Sequence, residues 1–178
     1  MKRRCFFVIG PESSGNRLLA EVLVASGCWG DYTCQQRFDN EEPPLNRDIV
    51  VLRSLPHANE WNVIQPTLKR LSQFNVTLLI TARDWLATSF SQVRQGHVRS
   101  TREALNNIRK AYRTIFGEVN EHLLGFRIIN YELLTKTPKS MLLLQSSMGL
   151  RQVELHLELR DENAKHYGWL EPTAVSPI

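Results

Sequence analysis

Cysteine is scarce in this chain: Cys5, Cys28 and Cys34 are its three, and no two stand in C-x-x-C spacing. That argues against a zinc knuckle or a disulfide framework. An odd number without secretory context points to reduced thiols in a cytoplasmic protein. Long apolar runs are missing too, and none approaches the roughly 20 residues of a membrane span. Met1-Lys2-Arg3-Arg4 ahead of "CFFVIG" has the charged start of a leader, but the run is short and Pro11-Glu12 cut it off. A buried first strand with a charged lead-in is therefore expected. Repeats, low-complexity stretches and linkers are absent, so residues 1–178 are read as one domain with enough chain for a real core. Nor is there a strong charge of one sign. The 22 basic residues against 18 acidic leave +4, too mild to imply nucleic acid and suited to binding small anions.

Four short β-rich apolar runs are present: "CFFVIG" (5–10), "DIVVLRS" (48–54), "VTLLITA" (76–82) and "FRIINY" (126–131). They are continuous rather than alternating, as strands buried on both faces should be. Helical patterns separate them. Leu18, Leu19, Val22, Leu23 and Ser26 repeat at helical spacing, with Gly27 as a stop. Pro66 suits the first turn of a helix to about Gln73. Ser100 and Glu103 form a capping box, followed by Leu105, Ile108, Tyr112, Ile115 and Val119 along one face. Pro138 opens a further helix that Gly149 ends. Strand–helix alternation predicts an α/β fold: three layers, a parallel sheet with helices on both faces, of the P-loop nucleotide-binding type. Ligands of such sheets sit beyond the carboxyl ends of the strands. Residues 29–47 read as a long ligand-side loop, and 92–102 as a second loop on the acceptor side. The alternation of Val153, Leu155, Leu157 and Leu159 suits a strand or a short helix.

What is missing from "FFVIGPESSGNR" (6–17) poses the functional question. Gly10 and Gly15 keep the G-x-x-x-x-G frame of a phosphate-binding loop, between a strand and a helix. The lysine and hydroxyl that follow in nucleotide triphosphatases, one for the outer phosphates and one for Mg²⁺, are replaced by Asn16 and Arg17. Free N–H groups at the helix start suit a phosphate, Ser13 and Ser14 add hydroxyls, and Arg17 adds charge. The plain alternative is an ordinary strand–turn–helix. Further on, Arg83 follows a strand and Ser91 stands eight residues later on a helix, with Ser89 between them. An arginine fork there can hold phosphate bidentately, or simply pair with Asp84. Arg53 and His57 follow the second strand and are expected in the same crevice, where His57 could move a proton or merely sit at the surface. A last cluster, Lys165, His166, Tyr167 and Trp169, could cover a nucleotide or pin a tail.

Together these residues resemble the sulfotransferases that use 3′-phosphoadenosine 5′-phosphosulfate, PAPS. "GPESSGNRLL" (10–19) is similar to that family's G-P-x-K-x-G-T-T-x-L loop, and Arg83 with Ser91 keeps the family's eight-residue spacing. "LRSLPH" follows the second strand, where many members have a basic residue and a histidine, and "IINYELL" is similar to a further strand end. The resemblance covers about residues 5–150. It implies that Pro11, Glu12, Ser13, Ser14, Gly15, Asn16 and Arg17 hold the 5′-phosphosulfate, that Arg83 and Ser91 hold the 3′-phosphate, and that His57 is the base. The implied reaction is sulfuryl transfer to a hydroxyl or amine of a small-molecule or glycan acceptor, releasing adenosine 3′,5′-bisphosphate. It implies no metal, which removes the need for the kinase lysine and hydroxyl. The chain departs from the family loop at Ser13, where a lysine or arginine is usual. Arg17 or Arg53 is expected to supply that charge, and Glu12 is expected to face water or pair with Arg17. The short chain leaves room for an acceptor site completed by a second copy. Two other readings are a kinase with a degenerate loop and a nucleotide-binding relative without turnover.

Overall fold

The structure, a computed structural model, describes residues 2–32, 36–155 and 163. Five strands run through it: β1 Arg4–Pro11, β2 Trp29–Gly30, β3 Ile49–Leu55, β4 Asn75–Ala82 and β5 Phe126–Asn130. They form one sheet in the order β2-β3-β1-β4-β5, and every pairing is parallel. Seven helices accompany them among the described residues: α1 Asn16–Ala25, α2 Arg37–Asn40, α3 Ile64–Arg70, α4 Trp85–Arg94, α5 Thr101–His122, α6 Tyr131–Lys136 and α7 Pro138–Ser147. The expected α/β fold with a parallel sheet is the one observed.

The alternation of side chains along β1 builds two cores. Cys5, Phe7 and Ile9 face one side, where they join Val51, Leu78, Ile80, Phe38, Ile64, Ala111 and Ile115 under α2, α3 and α5. Phe6 and Val8 face the other, with Val50, Leu79, Leu19, Leu23, Leu134 and Met141 under α1, α6 and α7. A strand packed on both faces must be apolar at every position, which is why these runs show no polar alternation. Cys5 and Cys28 are buried free thiols, and burial pushes the Cys28 thiol up to about 12. Such a thiol is packing rather than a nucleophile.

Element boundaries differ from expectation where the sequence signal is weak. The stretch 29–47 contains β2 and α2, too short to show a period. The fifth strand stops at Asn130, whose side chain accepts the Leu133 N–H at 2.8 Å and so caps α6. The helix opened by Pro66 begins at Ile64 and ends at Arg70. Ser100 caps α5 as expected, though the returning Glu103 carboxylate takes the Arg99 N–H at 3.0 Å. Residues 151–155 form no regular element. Leu157, Leu159, Lys165, His166, Tyr167 and Trp169 lie outside the described residues.

β1 is central, with β3 on one side and β4 on the other, so the chain reverses its direction of travel across the sheet beside β1. In open parallel sheets the ligand crevice forms at that point, beyond the carboxyl ends. Replacing Phe7, fully buried in β1, by Ala is expected to cost roughly 3–5 kcal/mol, while Leu133→Ala, 63% exposed, should change stability by less than about 0.5 kcal/mol. Urea unfolding of the two variants checks this; equal losses would contradict the assignment of the core.

Candidate functional site

β1 ends at Pro11, and the loop 12–15 turns sharply into α1. Ser13 takes a positive φ of 64° and Gly15 one of 97°. Gly15 is the N-cap of α1 and offers no side chain to its first turn, so the N–H groups there are left for a ligand or water. Both frame glycines are required by packing as well. A Cβ on Gly15 would overlap the Tyr131 ring, and one on Gly10 would overlap Thr81 Oγ1 and crowd Ser14 Oγ and Asn16 Oδ1.

Those last three side chains form a buried polar knot. Ser14 Oγ donates to the Pro11 carbonyl at 2.6 Å and lies 2.6 Å from Thr81 Oγ1, and Thr81 Oγ1 donates to Asn16 Oδ1. The Asn16 amide donates to the carbonyls of Gly10 (3.2 Å) and Pro11 (3.1 Å). At the position where nucleotide triphosphatases carry lysine, Asn16 therefore uses its donors inward. Ser14 is fully buried, so its hydroxyl builds the loop and is not presented to a ligand. Ser13 Oγ, by contrast, is buried without a hydrogen-bond partner among the described residues.

Two crevices open at this end of the sheet. The first, about 280 Å³, is lined by Glu12, Ser13, Gly15, Asn16 and Arg17 of the loop, together with Arg83, Ser91, Gln95, His97 and Tyr131. The second, about 330 Å³, shares Glu12, Asn16, Arg17 and Ser54 with the first and adds Gln36, Leu52, His57 and Ala58. Loop residues 12, 16 and 17 are thus a common wall. A larger cavity of about 550 Å³ lies at the opposite end, beside Asn75 and Gly125 at the amino ends of β4 and β5. Its lining mixes apolar residues such as Leu68, Leu71, Phe74 and Leu124 with polar ones, and it gathers no comparable set of charged groups.

Arg83, just past the end of β4, makes three contacts with described residues. Its Nη1 donates to the Ser13 carbonyl at 3.0 Å, its Nε donates to Asn163 Oδ1 at 2.7 Å, and its guanidinium lies 4.6 Å from the Tyr131 ring centre. Asp84 does not pair with it. Asp84 caps α4 by accepting the Ala87 N–H at 2.8 Å. Ser91 faces the first crevice one turn before Gln95, whose amide donates to its hydroxyl at 3.1 Å. Ser89 is buried, bonds the Leu86 carbonyl and lines neither crevice.

Arg53 is where the structure departs most from the sequence expectation. It lines neither crevice, because alternation along β3 turns Leu52 and Ser54 toward the second crevice and Arg53 to the opposite face. There it is 4% exposed, bonded to Asp31 (3.3 Å), Asp39 (2.5 Å) and its neighbour's carbonyl, and stacked on Phe38. Asp31 also accepts the N–H groups of Phe38 and Leu52. Burial pushes the Asp31 carboxyl up, against the pull of those N–H groups and Arg53. This network pins α2 over the strand and places Gln36 at the second crevice.

His57 begins a tight turn closed by two bonds with Glu60, at 2.9 and 2.8 Å. Its ring is half-buried. Burial first, and Arg53 second, push its pKa below the ordinary value, so the imidazole is neutral near pH 7. A neutral imidazole is the form that accepts a proton.

The structure thus gathers Glu12, Ser13, Gly15, Asn16, Arg17, Arg83 and Ser91 around one crevice and His57 in the adjoining one. Pro11 and Ser14 lie behind the loop and support it. Sequence reasoning missed Thr81, Tyr131, Gln95 and His97. Tyr131 follows a strand end, the same signal that singled out Arg83. No family model matches the chain, and no curated protein matches it.

Because His57 has a depressed pKa when folded, the unfolded chain binds more protons between that value and about 6.5. His57 therefore detracts from stability as pH falls through this window and contributes no such penalty above it. Wild type should lose stability relative to His57→Gln on going from about pH 7 to about pH 5. Urea unfolding at both pH values reads this out; a pH-independent difference would contradict the burial of the ring.

Proposed function

We propose that this protein is a PAPS-dependent sulfotransferase built on a P-loop-type nucleotide-binding domain. The observation that carries the reading is two separate anion grips on one crevice, joined by a common wall to a second crevice that holds a neutral histidine. Gly15 and the first turn of α1, with Arg17, suit the 5′-phosphosulfate. Arg83 and Ser91, across the same crevice, suit the 3′-phosphate. The residues fit such a donor on three local grounds: the first turn of α1, which receives no side-chain cap, the unpartnered Ser13 hydroxyl, and an arginine already aligned by Ser13 and Asn163.

The donor, when bound, supplies an activated sulfuryl group and departs as adenosine 3′,5′-bisphosphate. His57 takes the proton from an acceptor hydroxyl or amine in the second crevice. Arg17, which lines both crevices, stabilises the charge that develops on the leaving oxygen, in place of the loop lysine absent at Ser13. Arg53 is already paired with Asp31 and Asp39, so its part is to hold α2 and to add to the burial that lowers the His57 pKa. Catalysis here is positioning and charge stabilisation. A kinase reading is disfavoured by Asn16, which fills the lysine position with its amide turned to the Gly10 and Pro11 carbonyls.

The test is a thermal-shift titration with adenosine 3′,5′-bisphosphate, ADP and ATP, with and without Mg²⁺. At 100 times its Kd the bisphosphate should stabilise by about 2.7 kcal/mol without metal, and Arg83→Ala should remove the effect. His57→Ala should keep that binding and abolish transfer. Arg17→Ala should lower turnover tenfold or more, each tenfold being about 1.4 kcal/mol of barrier. Preference for Mg²⁺-ATP would overturn the proposal, and full turnover in His57→Ala would overturn its base.

A further inference from the structure

Glu12 is an acid in the wall of a site for a polyanion. It lines both crevices, and its position is fixed from either side. Its own carbonyl accepts Gln92 Nε2 at 2.8 Å, and the next carbonyl, Ser13, accepts Arg83 Nη1 at 3.0 Å. The backbone is fastened in this way where the Glu12 side chain leaves it for the junction of the crevices.

The charged and titratable groups that face this junction come from five elements. They are Arg17 on α1, His57 after β3, Arg83 at the end of β4, His97 after α4 and Tyr131 on α6. The one within ion-pair distance of Glu12 is His97, with Nδ1 3.9 Å from Oε2, rather than Arg17. His97 also lies 3.0 Å from Gln95 Oε1 through its other ring nitrogen. The expected pairing of Glu12 with Arg17 is therefore not formed, and Arg17 is left for a ligand.

An ionised Glu12 would repel an incoming phosphosulfate or bisphosphate, and in a half-buried crevice that repulsion is poorly screened. A protonated carboxyl has the opposite effect, since its O–H is a hydrogen-bond donor. Burial already raises the pKa of Glu12, with His97 opposing the rise. A bound anion adds a like charge, which pushes in the same direction as burial.

We propose that Glu12 binds the anionic ligand as a neutral carboxyl, taking one proton from solvent as the ligand enters and donating it in a hydrogen bond to a phosphate or sulfuryl oxygen. This rests on the donor-binding reading above and gives it a consequence of its own: ligand binding consumes a proton. The loop then offers an uncharged donor beside Ser13, where the family it resembles has a cation. The sign follows from linkage. A group whose pKa rises on binding favours the complex at low pH, and that contribution is lost as pH rises through the bound-state value.

The experiment is isothermal titration of adenosine 3′,5′-bisphosphate without Mg²⁺, from about pH 5.5 to about pH 8, in two buffers of different ionisation enthalpy. The proteins are wild type, Glu12→Gln, Glu12→Ala and His97→Asn. Comparison with Glu12→Gln removes the ligand's own phosphate titration. Wild type should show proton uptake that Glu12→Gln lacks. Its Kd should weaken relative to Glu12→Gln by up to tenfold per pH unit between the free-state and bound-state pKa values of Glu12, and level off above the latter. Glu12→Ala should also lack the uptake, yet bind more weakly than Glu12→Gln because it cannot donate. His97→Asn should keep the uptake. The same uptake and the same pH slope in wild type and Glu12→Gln would overturn the proposal while leaving the donor site standing. Absence of bisphosphate binding in all four proteins would overturn the donor-binding reading and this inference with it.

Discussion

The hydroxyl of Thr81, near the end of β4, reaches Ser14 and Asn16 of the glycine loop, and those two side chains hold the Gly10 and Pro11 carbonyls in turn. Every polar atom in this knot that faces away from solvent has a partner, which is what allows it to be buried. The knot ties β1, β4 and the start of α1 into one rigid corner. With the Tyr131 ring against Gly15, it fixes the direction in which the first turn of α1 presents its N–H groups. Arg83 then bonds the Ser13 carbonyl from the end of β4, so both proposed anion grips are referenced to the same few atoms. A pocket for a doubly phosphorylated nucleotide needs this kind of shared reference, because its two anionic groups must be met at a set separation.

The second crevice depends on a different constraint. Arg53 and Asp31 are buried together, and removing either would leave the other as an uncompensated charge inside the protein. Their pairing, with the Arg53–Asp39 bond, holds α2 beside β3 with Gln36 at the crevice, and places a positive charge near His57. That charge, added to burial, keeps the imidazole neutral. Arg53 therefore acts on the proposed base through position and field, and Arg17 is left as the cation that lines both crevices.

Much of this could be read from the chain. Continuous apolar strands, the helix-opening proline at 138 and the Ser100 cap located the layers, because these signals depend on local chemistry that tertiary packing does not overrule. The Gly10–Gly15 frame and the Arg83–Ser91 spacing also led to one crevice. What could not be read depends on side-chain direction. The one-residue alternation along β3 decides that Ser54 faces the ligand side and Arg53 does not, and a run buried on both faces carries no polar marker of that phase. Ser13 and Ser14 are adjacent serines with opposite fates for the same reason: the positive φ at Ser13 turns one hydroxyl outward from the knot and the other into it. Tyr131 looked like the last residue of a strand, since Asn130 reads equally as strand end or helix cap until its bond to Leu133 is seen.

A crystal structure with adenosine 3′,5′-bisphosphate bound tests the central claim most directly. The account predicts one phosphate at the first turn of α1 beside Arg17 and the other between Arg83 and Ser91, with no metal between ligand and loop and the second crevice open to an acceptor next to His57. Density for the nucleotide in the cavity at the amino ends of β4 and β5, or at the glycine loop with both phosphates on one side of Arg17 and none near Arg83, would contradict it.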